Sequence, residues 1–98
     1  VTAVNYISEA DFQATVIEMA RLYGWKVYYV PDSRRSPEGY PDLTLARKGI
    51  VLFMELKSRR GVVSPVQKEW LDALGARAWV FRPDDMDVIE ALLNQDAI

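Results

Sequence analysis

Two charged side chains interrupt a segment that is otherwise apolar. Ile50 to Lys57 reads IVLFMELK, and only Glu55 and Lys57, near its end, break the run. Two apart on a strand, they project from one face, while Leu56 between them enters the opposite layer. Asp42 opens the string DLTLAR, in which Leu43 and Leu45 alternate with Asp42 and Thr44. Counting across the Lys48-Gly49 turn brings Asp42 and Glu55 to the same end of a strand pair. Two carboxylates that close repel unless a proton or a cation lies between them, and a hard divalent ion takes oxygen ligands of this type. Such an ion acidifies a water and polarises a phosphoryl oxygen. Lys57 can orient that water or offset charge developing on a phosphorane. Glu9 is a candidate third acidic group. The plainer reading is a Glu55–Lys57 salt bridge at a strand end, with Asp42 as the turn residue after Pro41, and an E-x-K string alone does not choose between them.

The elements needed to position these groups can be read from spacing. Ser8 predicts an N-cap with Asp11 three residues on, and Phe12, Val16, Met19, Ala20 and Tyr23 recur at helical spacing up to Gly24, predicting a helix over 9–23. Trp25 to Val30 predicts a short strand ending at Pro31. The loop PDSRRSPEGYP follows, carrying Arg34 and Arg35. Asp42–Arg47 and Ile50–Lys57 predict a hairpin, its second strand buried on both faces. Ser64-Pro65-Val66-Gln67 has the composition of a capping box, with Val66, Trp70, Leu71 and Leu74 as the stripe of a helix closed by Gly75. Ala78 to Arg82 predicts a strand. Asp84 or Asp85 then caps a last helix that buries Met86, Ile89, Leu92 and Leu93. The order α-β-β-β-α-β-α implies an α/β fold, a mixed four-stranded sheet with helices on both faces.

Composition narrows the chemistry. The 98 residues, half of them hydrophobic, suit a single domain over 1–98. With no cysteine and no histidine, thiol nucleophiles, disulfides, cysteine-ligated zinc and an imidazole base are excluded. No apolar run approaches the roughly 20 residues of a membrane span, and VTAVNYISEADF lacks the features of a signal peptide, so an intracellular soluble protein is expected. The net charge of −2 is not that of a typical nucleic-acid binder. Residues 34 to 60, however, hold seven basic and three acidic side chains, a local +4 that leaves −6 for the rest. A local basic surface can neutralise phosphates because screening confines such interactions to roughly 10 Å at 0.1 M salt. An ordinary solvated face explains the same numbers.

Gly39-Tyr40-Pro41-Asp42, followed thirteen residues later by Glu55-Leu56-Lys57, resembles the PD-(D/E)XK nuclease superfamily. More closely, the chain resembles the VRR-NUC family. Ser8-Glu9 with Gln13, Gly39-Tyr40-Pro41-Asp42-Leu43, Glu55-Leu56-Lys57 and Ser64-Pro65-Val66-Gln67 follow that family's order over nearly the whole chain. The resemblance implies a restriction-endonuclease-like core and an Mg²⁺- or Mn²⁺-dependent DNA endonuclease with no organic cofactor. It implies Asp42, Glu55, the Leu56 carbonyl and Glu9 as metal ligands, Lys57 as the catalytic lysine, and Gln67 facing the site. Small members look like homodimers acting on branched, Holliday-junction-like DNA. Arg34, Arg35, Arg59 and Arg60 are candidate phosphate contacts. Trp25, Tyr28 and Tyr29 could stack on bases, though strand aromatics are more often core. A nickase or repair nuclease without junction preference, a non-catalytic module on the same fold, and an acidic surface for a basic protein are the competing readings.

Overall fold

The computed structural model describes residues 7–31 and 37–95, so Arg34 and Arg35 lie outside the described residues. The elements are α1 (Glu9–Leu22), β1 (Lys26–Tyr28), β2 (Leu43–Arg47), β3 (Ile50–Leu56), α2 (Pro65–Leu74), β4 (Ala78–Phe81), a 3-10 turn (Pro83–Asp85) and α3 (Met86–Leu93). The four strands form one sheet in sequence order. β1–β2 and β2–β3 are antiparallel and β3–β4 is parallel, with α2 making the crossover. This is the mixed sheet that the hydrophobic pattern predicts.

Ser8 Oγ accepts from the Asp11 backbone N–H at 3.0 Å, the expected cap of α1. Lys48 and Gly49, at φ 51° and 82°, make the β2–β3 hairpin turn, for which two consecutive positive φ values match the twist of the strands. Leu43 pairs with Met54 and Leu45 with Leu52, so all four share one face. With Leu56 they are fully buried, and Phe12, Val16 and Ala20 of α1 and Ile89 and Leu93 of α3 close over them. Burying each such leucine stabilises the fold by roughly 1.5–3 kcal/mol.

Several local expectations are corrected. Trp25 does not join β1. It turns into the core at 3% exposure, and its indole Nε1 donates to the Leu93 carbonyl at 2.9 Å. β3 is not buried on both faces, because Val51 is 39% exposed at the hairpin end. Its second face closes only toward Glu55, where α2 lies. The α2 stripe of Val66, Trp70, Leu71 and Leu74 is half-buried, and no α2 residue is fully buried. α2 rests on β4 and on the segment before Asp42, which cover it only in part. Asp85 stands at the N-cap of α3, but its side chain accepts no capping bond there. Asp85 instead turns back to accept from the Arg82 N–H at 2.8 Å across the 3-10 turn.

Candidate active site

The register that puts Leu43 opposite Met54 carries Asp42, one residue earlier, toward Glu55 on the sheet face opposite the core. Asp42 is anchored to β3 directly, its Oδ2 accepting from the Leu56 backbone N–H at 2.8 Å. Among the described residues Glu55 is the one charged side chain that is buried, at 3% exposure. Two groups hold the same oxygen. Lys57 Nζ lies 3.5 Å from Glu55 Oε2, and Gln67 Nε2 donates to it at 3.0 Å. The other end of the Gln67 amide, Oε1, accepts from the Ser64 N–H at 2.9 Å, while Ser64 Oγ accepts from the Gln67 N–H at 3.1 Å. The capping box and the site contact are therefore two ends of one side chain, and the cap sets the angle at which Gln67 meets Glu55.

The segment before Asp42 is clamped to the same helix. Trp70 Nε1 donates to the Glu38 carbonyl at 3.2 Å, and the Trp70 and Tyr40 rings meet edge to face at 5.1 Å. Between them Gly39 has φ +88°, and a Cβ there would fall 2.2 Å from Val66 Cγ1 and 2.9 Å from the Val66 backbone. Glycine alone satisfies both the dihedral and the contact. α2 thus holds the Asp42 segment and Glu55 at once.

Electrostatics follow from this convergence. Burial lifts the Asp42 carboxyl above the usual carboxylate range, against the Leu56 N–H that favours its charged form, and the Glu9 charge adds to the lift. Burial and then the Asp42 charge push Glu55 up to about 7, while Lys57 pulls it down. Near neutrality the pair thus holds a proton that a divalent cation would displace, and the all-oxygen carboxylate donor set suits a hard ion. A competition between proton and cation follows. Below pH 7 the apparent Mg²⁺ affinity should fall by about tenfold per pH unit. Isothermal titration from pH 6 to pH 8 checks this, and a flat profile would mean that Glu55 is not a ligand.

The sequence-predicted residues separate into groups. Asp42, Glu55, Lys57 and Gln67 come together. Glu9 sits at the rim, exposed, with Oε2 accepting from the Ser58 N–H at 3.1 Å. Among the described residues no group of three or more acidic side chains is arranged to hold a metal ion. Leu56 contributes its N–H to Asp42 and buries its side chain in the core. Arg59 pairs with Asp84 at 3.5 Å, both half-exposed, and Arg60 is exposed. Among the described residues of the basic stretch, Arg47 and Lys57 are held by internal partners and do not belong to an open basic surface.

Arg82 and Arg47 had no signal in the sequence. Arg82 donates to the Ser58 carbonyl at 2.8 Å and the Gly61 carbonyl at 2.7 Å, pinning the turn that follows Lys57. Arg47 donates to the Tyr23 carbonyl at 2.8 Å, the Leu93 carbonyl at 3.0 Å and the Gln95 carbonyl, with its guanidinium 4.4 Å from the Trp25 ring centroid. Nothing periodic marks either residue. A surface groove of about 730 Å³ runs along Ala14, Glu18, Arg21 and Tyr29 beside α1. It is open and does not include the acidic pair, so chemistry rather than size picks out the site.

The sheet order, the parallel β3–β4 crossover and the α-β-β-β-α-β-α succession define a restriction-endonuclease-like α/β fold. The structure is similar to that of Hjc, a Holliday junction resolvase from the archaeal hyperthermophile Archaeoglobus fulgidus. The TM-score is 0.55 at 24% identity, over 72% of this chain and 63% of the resolvase. The match thus spans less than two thirds of the resolvase's length, and at this identity the likeness is one of fold. No protein-family model and no curated protein matches the sequence.

Proposed function

We propose that the chain is a VRR-NUC-like, metal-dependent endodeoxyribonuclease that hydrolyses phosphodiester bonds in branched DNA as a homodimer. One observation carries the reading: Asp42 and Glu55 are brought together in a partly desolvated corner, with Lys57 and Gln67 fixed on the same Glu55 oxygen. Carboxylates, an amide and a lysine so arranged serve phosphoryl chemistry without histidine or cysteine. The fold shared with a Holliday junction resolvase supports the choice of substrate class.

Asp42, Glu55 and the Leu56 carbonyl would hold Mg²⁺ or Mn²⁺, with Glu9 joining if it leaves the Ser58 N–H. The ion, when bound, supplies Lewis acidity at a phosphoryl oxygen and an acidified water. Lys57 places a positive charge beside the carboxylates, where it stabilises charge that grows on the phosphorane oxygens. Gln67 keeps the Glu55 carboxylate from rotating, and Asp42 is kept in place by Leu56 N–H. Arg59, Arg60, Arg34 and Arg35 are the proposed phosphate contacts that orient the strand.

Labelled four-way-junction, flap, nicked, single-stranded and linear duplex DNA, each with Mg²⁺ or Mn²⁺, test the reading. We expect metal-dependent cutting that is strongest on branched substrates, and a sizing column should give a dimer. Equal cutting of branched and linear DNA would make the protein a general nickase or repair nuclease. No cutting of any substrate with either ion would make it a non-catalytic module on a nuclease fold.

A further inference from the structure

We propose that Tyr28 is a stacking platform for an unpaired base next to the phosphate held at Asp42 and Glu55, a subsite that rests on the nuclease reading above. Large aromatic side chains are normally mostly buried, as Trp25 just before β1 is at 3% exposure, yet Tyr28 within β1 is 62% exposed. Lone exposed apolar side chains are common, and Leu22, Val62 and Val88 are of that kind. Tyr28 differs by its position. It lines one small cleft together with Asp42, Gln13, Tyr29, Tyr40 and Pro41.

The register makes this juxtaposition a property of the sheet. Tyr28 pairs with Thr44, and Asp42 lies two residues before Thr44, so Tyr28 and Asp42 share the face that carries Glu55. Tyr28 and Asp42 are diagonal neighbours across the strand pair, roughly 7–8 Å apart, a separation that an aromatic side chain can bridge. Tyr28 is therefore set for the nucleotide beside the reacting phosphate. Tyr40 is spoken for: its hydroxyl shares a hydrogen bond with Thr44 Oγ1 at 3.0 Å and its ring meets Trp70, so it forms a fixed wall. Gln13, half-buried in the cleft, brings an amide suited to a sugar or phosphate oxygen.

The volume decides how a base would sit. The cleft holds about 70 Å³. That is well below the roughly 300–1,000 Å³ of pockets that enclose a small molecule, too little to take in a flipped base. The base must lie on the outer face of the Tyr28 ring. Stacking of this kind tolerates any base but requires one face to be free of its neighbours, which a continuous duplex does not provide. The subsite thus selects a phosphate flanked by an unpaired nucleotide, as at a branch point or flap, and reads no sequence.

The test measures kcat and KM for wild type, Tyr28→Ala and Tyr28→Phe with Mg²⁺. The substrates are branched and flap DNA in which each nucleotide flanking the cut phosphate is either intact or abasic. At one abasic position wild type should lose about 5- to 150-fold in kcat/KM, mostly through KM. Tyr28→Ala should show that low value on intact and abasic DNA alike, and Tyr28→Phe should behave as wild type. Thermal unfolding of Tyr28→Ala should match wild type, because the side chain is largely in water. Tyr28→Ala cutting intact DNA as well as wild type does, or losing further activity on the abasic substrate as wild type does, overturns the proposal. A wild type that cuts but ignores abasic sites removes the subsite alone. A wild type that cuts nothing removes the nuclease reading and the subsite with it.

Discussion

Asp42→Asn, Glu55→Gln and Lys57→Ala should each lower the single-turnover cleavage rate by about 10²- to 10³-fold, the usual consequence of removing one preorganised electrostatic group from a reacting centre. The informative part is what happens to stability alongside. Glu55 is buried beside Asp42, and its pKa is pushed up to about 7 from the ordinary 4.5 of a glutamate. A carboxyl raised on folding contributes stability that is fully present below pH 4.5 and lost as pH rises through 7, because the folded state must then carry a charge that the unfolded state carries easily. Glu55→Gln removes that charge. In metal-free solution at pH 8 the variant should therefore melt above wild type, and at pH 4 the difference should vanish. Lys57→Ala should move the other way at pH 8, since it strips Glu55 of the cation 3.5 Å away. An inactive Glu55→Gln protein that is also more stable at high pH would be the signature of a carboxylate kept for function. Glu55→Gln melting below wild type at pH 8 would instead make Glu55 a structural partner of Gln67 and Lys57.

Arg47→Ala should be the most destabilising single change outside the apolar core. Its guanidinium collects the carbonyls of Tyr23, at the C-terminal end of α1, and of Leu93 and Gln95, at the end of α3, while lying over Trp25. Two helix C-termini, each bearing about half a negative charge, converge on one cation. Hydrogen bonds from a charged donor contribute roughly 1.5–3 kcal/mol each, and partial exposure weakens them, so a loss of about 3 kcal/mol is expected in urea unfolding. For a domain of this size that is roughly 15 °C in Tm. Arg47→Lys should recover little, because a single ammonium cannot serve three carbonyls around a stacked plane. A variant that keeps its stability but binds DNA more weakly would return Arg47 to the basic surface that the charge count suggests.

Arg47 and Arg82 show where reading the chain stops. Both are cations in the sequence, and the charge count over residues 34 to 60 places Arg47 with the exposed ones. Whether a guanidinium faces water or three carbonyls depends on where α1, α3 and the Ser58–Gly61 turn come to rest. The same limit applies to Trp25 and Tyr28, aromatic neighbours three apart in one segment. One fills the core and the other stands in water, because β1 starts at Lys26 and its second face has no helix over it. The half-burial of α2 belongs here too: its stripe has helical periodicity, but the area of sheet available to cover it is a property of the assembled layers.

What the chain determines by itself is local and repetitive. Ser8, the Lys48-Gly49 turn and the Ser64/Gln67 box end or join their elements through bonds within three residues, so the order of helices and strands is written in nearest neighbours. The hairpin register also follows, because a two-residue turn fixes which residues oppose each other. The approach of Asp42 to Glu55 is therefore countable along the chain. Only the tertiary structure decides the rest: that Gln67 reaches Glu55, that Glu9 rests on Ser58, that Gly39 lets the Asp42 segment touch Val66. These contacts join residues whose separation along the chain carries no information about their separation in space, and they depend on how α2 and α1 seat against the sheet once the core is closed.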